Sequence, residues 1–256
     1  MEKVILISID GMRPDGFLAC GNPYAEELQR ISAYTLDGQT VRPSMTMPCH
    51  QSMFHSVPPE RHGVMTNTFT PFARPVDGIF EVVKNAGGLC SMHYGWEPLR
   101  DLSMPSTVKW ADMIRFDVED DTDRQLTDRC LWRLRHSHPD FVFLYLGQVD
   151  DAGHKFSWMS EEYLHRISIA IDCVKDIITE FGEEYSILIT ADHGGHDRSH
   201  GQGTTPDVTI PQFYIGKRFT PGRVLHNVSV MDIPPTIADI MGLRCPPEWE
   251  GRSHAE

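Results

Sequence analysis

The sequence predicts an α/β fold: a mostly parallel central sheet with helices on both faces. Three observations predict it. The apolar segments Val4–Ile9, Phe141–Leu146 and Ser186–Thr190 are continuous rather than alternating, as strands buried on both faces are. Amphipathic helical stretches lie between the strand-like segments, and strands alternating with helices give parallel sheets. Finally, apolar segments run straight into acidic residues: Ile9 into Asp10, Val149 into Asp150, and Thr190-Ala191 into Asp192-His193. Open parallel sheets collect ligands at the carboxyl ends of their strands, so polar residues at these points are the ones to follow.

The elements follow in order. Val4–Ile9 is the first buried strand. A helix is expected over 78–87, with Ile79, Phe80, Val82 and Val83 apolar, closed by Gly87-Gly88 and followed by a strand near Leu89–Tyr94. Glu119–Arg135 reads as a helix with an acidic start and with Leu126, Cys130 and Leu134 on one face. After the strand Phe141–Leu146, Ser160 opens a long helix with Glu161 and Glu162 in its first turn. Its apolar face is Leu164, Ile167, Ile171, Val174, Ile178 and Phe181. Strands are expected at Ser186–Thr190 and Gln212–Ile215, and a last helix at Asp232–Met241, ended by Gly242. The stretch 67–114 contains Pro71, Pro75, Pro98 and Pro105 and reads as irregular, a candidate small cap within a single domain over 1–256. Tyr94 and Trp96 in it are candidate stacking surfaces, with core packing the simpler role.

Composition bounds the function classes. The chain has 256 residues, 40% hydrophobic and 23% charged, ordinary values for a globular protein with room for a two-sided sheet. The formal net charge of −13 argues against a nucleic-acid polymer as partner, but not against a small anion held through cations. No apolar run approaches the ~20 residues of a membrane span. The N-terminal apolar run is short and ends at Asp10, unlike a signal peptide, so a cytoplasmic location is expected. Cys20, Cys49, Cys90, Cys130, Cys173 and Cys245 are scattered with no CxxC pair, as for reduced thiols, and offer no thiolate zinc site.

Four clusters carry chemistry. Ser8-Ile-Asp10-Gly-Met-Arg-Pro-Asp15 puts a carboxylate at a strand tip, where it can ligate a hard metal or cap the next turn. Asp150-Asp-Ala-Gly-His154 offers oxygen and imidazole four residues apart, in what reads as a Gly-containing turn, and zinc accepts both donor types. Thr190-Ala-Asp192-His193-Gly-Gly-His196-Asp-Arg-Ser-His200-Gly follows a buried strand with an acid, three histidines and glycines that let backbone approach a ligand. Pro43-Ser-Met-Thr46-Met-Pro-Cys-His50, continuing to Pro59-Glu-Arg-His62-Gly63 and Asn67, is a hydroxyl-bearing turn before a helix. A hydroxyl there can act as nucleophile when a metal activates it.

Asp10-Gly11, Thr46-Met-Pro-Cys-His50, Glu60-Arg-His62-Gly63 with Asn67, Asp150 with His154, Ala191-Asp192-His193-Gly and the tail Pro246-Pro-Glu-Trp249-Glu-Gly251 occur in an order that resembles the alkaline phosphatase superfamily. Within it the chain looks most like the nucleotide pyrophosphatase/phosphodiesterase branch. The resemblance implies an alkaline phosphatase-like fold with a reduced cap. It implies two divalent metal ions, zinc by donor type with manganese also suited. Asp10, Thr46, Asp192 and His193 match the ligands of one. Asp150 and His154 match two ligands of the other, with His200 as the third and His196 as the alternative. Thr46 matches the nucleophile, and Asn67 the residue that donates to a phosphoryl oxygen.

The implied reaction is in-line displacement at phosphorus through a phospho-threonine, between metals roughly 3.5–4 Å apart. The implied substrate is a small phosphodiester or nucleotide pyrophosphate. A phosphomonoesterase, or a mutase or phosphonate hydrolase of the same fold, is the alternative. Sulfatases need Cys or Ser in place of Thr46 and Arg in place of His50. A non-catalytic metal-binding protein would not need Thr46. Cys49 departs from the Asn of that branch, His55-Ser56 from its Thr-Gly, and the chain is short. Of the thirteen histidines, His50, His55, His62, His93, His136, His138, His165, His226 and His254 read as structural.

Overall fold

The computed structural model describes residues 1–68, 70–116 and 120–256. Among these residues seven strands form one sheet: β1 (Lys3–Ile9), β2 (Ala33–Gln39), β3 (Cys90–Tyr94), β4 (Val108–Met113), β5 (Phe141–Leu146), β6 (Tyr185–Thr190) and β7 (Thr209–Ile215). Their spatial order is β2-β7-β6-β1-β5-β3-β4. β1 runs parallel to β5 and β6, and β3 parallel to β5 and β4. Only β7 is reversed, antiparallel to both β6 and β2. The mostly parallel sheet expected from the apolar runs is therefore present. The three central strands owe their place to those runs: every residue of β5 and β6, and of β1 from Val4 onward, is buried.

Among the described residues, ten α-helices surround the sheet: α1 (Pro14–Ala19), α2 (Tyr24–Ile31), α3 (Thr46–His55), α4 (Pro59–His62), α5 (Ile79–Asn85), α6 (Thr122–Ser137), α7 (Gln148–Phe156), α8 (Glu161–Phe181), α9 (Thr205–Val208) and α10 (Ile233–Ile240). On one face α8 packs against α1, α2, α6 and α7. On the other, α3 packs against α4, α5 and α10. The alternation of side chains along the strands shows which is which. Phe143 and Tyr145 of β5 meet Phe54 and His50 of α3. Phe213, in register with Ile189 and through it with Ile7, meets Phe17 of α1 on the opposite face. The α8 start expected at Ser160 is observed: its side chain accepts from the Tyr163 N–H at 3.3 Å, an N-cap.

Several expectations need correction. Asp150 does not follow a strand, and Asp150–His154 is not a turn. β5 ends at Leu146, Gly147 caps α7, and both residues lie within that helix, so they share one face by i,i+4 spacing. Gly153 is tolerated mid-helix because the Trp158 ring occupies the space of its Cβ, at 2.7 Å. In the stretch 67–114, expected to be irregular apart from a helix over 78–87 and a strand near Leu89–Tyr94, those two are present as α5 and β3, while the 3-10 turn at Glu97–Leu102 and β4 were not expected, and both strands belong to the central sheet. The helix expected from Glu119 begins at Thr122, with Glu119 itself outside the described residues. Helix α3 has no polar face to betray it, since all ten of its residues are buried. Its polar groups bond inside the protein: Ser52 Oγ with His62 Nε2 at 3.1 Å, and His55 Nδ1 with the Gln51 carbonyl at 3.0 Å.

Candidate functional site

The carboxyl ends of β6, β1 and β5 lie side by side, and the chain leaves each with a polar residue in reach of the others. Asp10 follows β1, and Asp192 and His193 follow β6. α7, which starts just after β5, brings Asp150 and His154. α3 points its first residue, Thr46, at the same place.

Two groups of donors result. In the first, Asp10, Asp192 and His193 place ligand atoms within 4.8 Å of one another; in the second, Asp150, His154 and His200 do the same. His193 Nε2 lies 3.3 Å from Asp10 Oδ1, 3.4 Å from Asp192 Oδ2 and 3.3 Å from Thr46 Oγ1. Asp150 faces His154 Nε2 at 3.4 Å and His200 Nε2 at 3.7 Å. The His193 and His200 rings stack at 3.9 Å, so the two groups are contiguous. The first group is buried, whereas the side chain of His154 is 43% exposed and opens the second to solvent.

The three histidines share one tautomer. Nδ1 of His193 meets the Gly194 carbonyl at 2.8 Å, that of His154 the Arg198 carbonyl at 3.0 Å, and that of His200 the Ser44 carbonyl at 2.9 Å. A carbonyl only accepts, so each Nδ1 carries the proton and each Nε2 turns its lone pair inward. The carboxylates divide their oxygens in the same way. Tyr145 donates to Asp10 Oδ2, while the backbone N–H groups of Gly11 and His193 donate to Asp192 Oδ1. Asp10 Oδ1, Asp192 Oδ2 and Asp150 Oδ1 are buried without a hydrogen-bond partner.

Burial, and then the other carboxylates, push the Asp10 and Asp150 carboxyls well above their ordinary range; burial pushes Asp192 up to about 7. Burial, with His193 beside it, lowers His200 to about 3. Orphaned carboxylate oxygens and inward imidazole lone pairs are the donor set of a divalent cation. The residues present therefore fit two such ions, with Thr46 Oγ1 at the edge of the first group.

Asn67, expected to face a phosphoryl oxygen, accepts from the Met47 N–H through Oδ1 at 3.0 Å, which leaves Nδ2 as its donor. His196 is not brought into either group: its Nδ1 meets Asp207 Oδ1 at 2.7 Å. His50, read as structural, is buried and lowered to about 3 by burial. It bridges the Thr46 carbonyl (2.8 Å) and Ser8 Oγ (3.0 Å), joining α3 to the end of β1, and its Nδ1 lies 3.4 Å from Asp192 Oδ2.

Sequence reasoning missed four supporting residues. Tyr145 holds Asp10. Trp158 donates to the Gly11 carbonyl at 2.9 Å and lays its ring against His154 and His200. Tyr163 donates to the same carbonyl at 2.9 Å. Asp123 accepts from the Gly147 N–H at 2.8 Å at the head of α7. None carries a local signal, because each acts on a residue far away in the chain.

A family model for type I phosphodiesterase / nucleotide pyrophosphatase matches residues 4–209. A 2,3-bisphosphoglycerate-independent phosphoglycerate mutase of Clostridioides difficile (strain 630) is 31% identical over 136 residues, 50% of this chain and 26% of the mutase. Bis(5'-adenosyl)-triphosphatase ENPP4 of Pongo abelii is 23% identical over 239 residues, 83% of this chain and 52% of that protein. The chain thus spans about a quarter of the length of that mutase and about half that of the triphosphatase. Among solved structures, an inactive form of murine ectonucleotide pyrophosphatase / phosphodiesterase 5 in complex with AMP superposes with a TM-score of 0.82 at 12% identity, covering 100% of this chain and 98% of that one. Phosphonate monoester hydrolase SpPMH from Silicibacter pomeroyi gives 0.78 at 16% identity, covering 99% and 76%. At these identities the structural likeness establishes an alkaline phosphatase-like fold, and the family match runs through every residue of both donor groups. The chain belongs to the type I phosphodiesterase / nucleotide pyrophosphatase family.

Proposed function

We propose that this protein is a metal-dependent phosphoesterase that cleaves a phosphodiester or nucleotide pyrophosphate bond through a phospho-threonine at Thr46. The observation that carries the reading is the position of Thr46 Oγ1, 3.3 Å from the inward lone pair of His193, beside a second group of inward donors. Asp10, Thr46, Asp192 and His193 would hold one divalent cation, and Asp150, His154 and His200 a second, zinc or manganese by donor chemistry. When bound, such ions supply positive charge to the phosphoryl and leaving oxygens and make a hydroxyl a better nucleophile.

The residues of the chain do the rest. α3 fixes Thr46 at its N-terminus, where backbone dipoles favour an anion. Asn67 Nδ2 donates to a non-bridging oxygen, because Oδ1 is already committed to Met47. Thr46 Oγ forms a bond to phosphorus as the bond to the leaving oxygen breaks, and the departing alkoxide or phosphate takes up a proton. Water then attacks the phospho-threonine, the bond from phosphorus to Thr46 Oγ breaks, and the hydroxyl recovers its proton. The open second group, with His154 exposed, leaves room for the ester group that departs.

Family membership favours diesters over monoesters. We take residues 1–256 as one catalytic domain acting on a small phosphorylated substrate, not a nucleic-acid polymer, with the net charge of −13 as support. A cytoplasmic location agrees with six free cysteines, and no helix among the described residues is long and apolar enough to cross a membrane. The test is a paired assay of metal-loaded protein on bis-p-nitrophenyl phosphate and p-nitrophenyl phosphate. The diester should turn over faster, and Thr46→Ala should lower kcat by about 10³-fold or more while zinc still binds. Faster monoester turnover would transfer the protein to the monoesterase reading. Full activity of Thr46→Ala would remove the covalent step.

A further inference from the structure

We propose that Asp207 and His196 form a positioning pair that fixes the loop carrying His200, and through it the second donor group; this rests on reading that group as a cation site. The chain leaves the sheet after β6 and returns at β7, and the loop between them holds His200. Its base is closed by the Gly194 N–H, which donates to the Asp207 carbonyl at 2.9 Å. A Cβ on Gly194 would stand 2.1 Å from the Pro206 carbonyl oxygen, so this closure requires a residue without a side chain.

Inside the loop, His196 and Ser199 exchange two backbone hydrogen bonds of 2.9 Å, turning the chain around Asp197 and Arg198, with Asp197 at φ 49°. Both carbonyls of that turn are used: Asp197 accepts from the Trp158 N–H at 2.7 Å and Arg198 from His154 Nδ1 at 3.0 Å. The turn is thereby docked on the helix that carries Asp150.

The stake is the Asp207 carboxylate, fully buried on α9. Oδ1 accepts from His196 Nδ1 at 2.7 Å, and Oδ2 accepts from the Gln202 N–H at 3.0 Å. Those two partners flank His200 in the chain, so one buried group holds both sides of it. Burial pushes the Asp207 carboxyl up, but hydrogen bonds from His196 and Thr204 outweigh it and keep it an acceptor for both. With its flanks tied, His200 needs only the Ser44 carbonyl at Nδ1 to aim Nε2 at Asp150. His196 thus acts through His200, and its own ring stays outside the donor group. A loop must be held to within a fraction of an ångström to serve as ligand support, and losing an outer partner of this kind typically costs about 10–100-fold in affinity.

The test compares His196→Ala with His196→Asn, whose side-chain amide nitrogen can take the place of Nδ1, in two measurements. In metal-free protein, amide hydrogen exchange at Gln202 should speed up about tenfold or more in His196→Ala and be restored in His196→Asn. In zinc titrations of the same proteins, one of two binding events should weaken by about 10–100-fold in His196→Ala, the other should hold, and His196→Asn should recover the loss. Unchanged exchange and zinc affinity in His196→Ala would overturn the pair. So would zinc binding as weak in His196→Asn as in His196→Ala with Gln202 still protected, which would make His196 a ligand. If His196→Ala does not fold, His196→Gln replaces it, since its amide reaches the Nε2 position and should fail where Asn succeeds. Absence of zinc binding by the unaltered protein would overturn the proposed function, and exchange at Gln202 would then decide the pair alone.

Discussion

Each acidic side chain of the first donor group splits its oxygens between the protein and the space the group encloses. Tyr145 holds Asp10 Oδ2, and backbone N–H groups hold Asp192 Oδ1. The oxygens left over are the ones that converge. Tyr145→Phe keeps the ring and deletes the one hydroxyl that orients Asp10. It leaves a buried acceptor unpaired, a cost of about 1–3 kcal/mol in urea unfolding of the metal-free protein. Zinc affinity should fall by about 10–100-fold, the usual effect of removing an outer partner. A Tyr145→Phe protein with undiminished zinc affinity would show that Asp10 is oriented without it. Asp10, Asp192 and His193 were legible in the sequence because each directly follows a buried apolar run. Tyr145 was not, since it reaches Asp10 across 135 residues of chain and its own strand is uniformly apolar. His200 was preferred to His196 by the resemblance, but the contact that keeps His196 out of the group was not legible, because its Asp207 partner lies 11 residues on, on the four-residue helix α9.

At the scale of elements, the continuous strands and α8 were legible because burial on both faces and a single apolar stripe leave direct marks in the sequence. β2 left none: it alternates weakly, contains Gly38 and slips register between Thr35 and Gly38. α7 was missed because it carries a glycine that only its contact with Trp158 explains, while α3 was expected only as a helix following a turn, and its start at Thr46 left no mark because all ten of its residues are buried. The join between α6 and α7 is equally silent, yet it sets where Asp150 stands. Asp123, in the first turn of α6, accepts from the Gly147 and Gln148 N–H groups, and its own N–H donates to the Gln148 side chain at 3.1 Å. Burial pushes the Asp123 carboxyl up to about 7, against ~3.9 in an unfolded chain. The folded protein therefore holds a proton that the unfolded chain releases, and stability is lost as pH rises from about 4 through 7. Asp123→Asn keeps an acceptor oxygen for Gly147 and cannot ionise. Apart from a pH-independent offset where its amide nitrogen faces Gln148, its stability relative to the unaltered protein should rise with pH. The gain should reach up to about 4 kcal/mol by pH 8, three pH units at about 1.4 kcal/mol each. Parallel urea midpoints for the two proteins across that range would reveal no such divergence if Asp123 were ionised throughout.

Across the whole molecule, charge and fold pull against each other at one place. A chain with a formal net charge of −13 gathers Asp10 and Asp192, just after β1 and β6, and Asp150 on α7 beside the carboxyl ends of its three central strands, the best-buried part of the sheet. Their raised carboxyls express the cost of that arrangement in the absence of a counter-charge. A ligand that binds the folded chain alone stabilises it by about 2.7 kcal/mol at 100 times its Kd, so two cations should contribute roughly 5 kcal/mol. For a chain of this size each kcal/mol moves the midpoint by about 2–4 °C, so removing metal with a chelator should lower Tm by about 10–20 °C. Asp192→Asn should answer in both directions. With zinc present it should melt below the unaltered protein, because one ligand oxygen and its charge are gone. Stripped of metal at pH 8 it should melt above it, because one of three crowded carboxylates no longer has to ionise. A metal-free Asp192→Asn protein less stable than its parent would mean that the hydrogen bonds from Gly11 and His193 to that carboxylate outweigh the repulsion, and that the strand ends are stable without a cation.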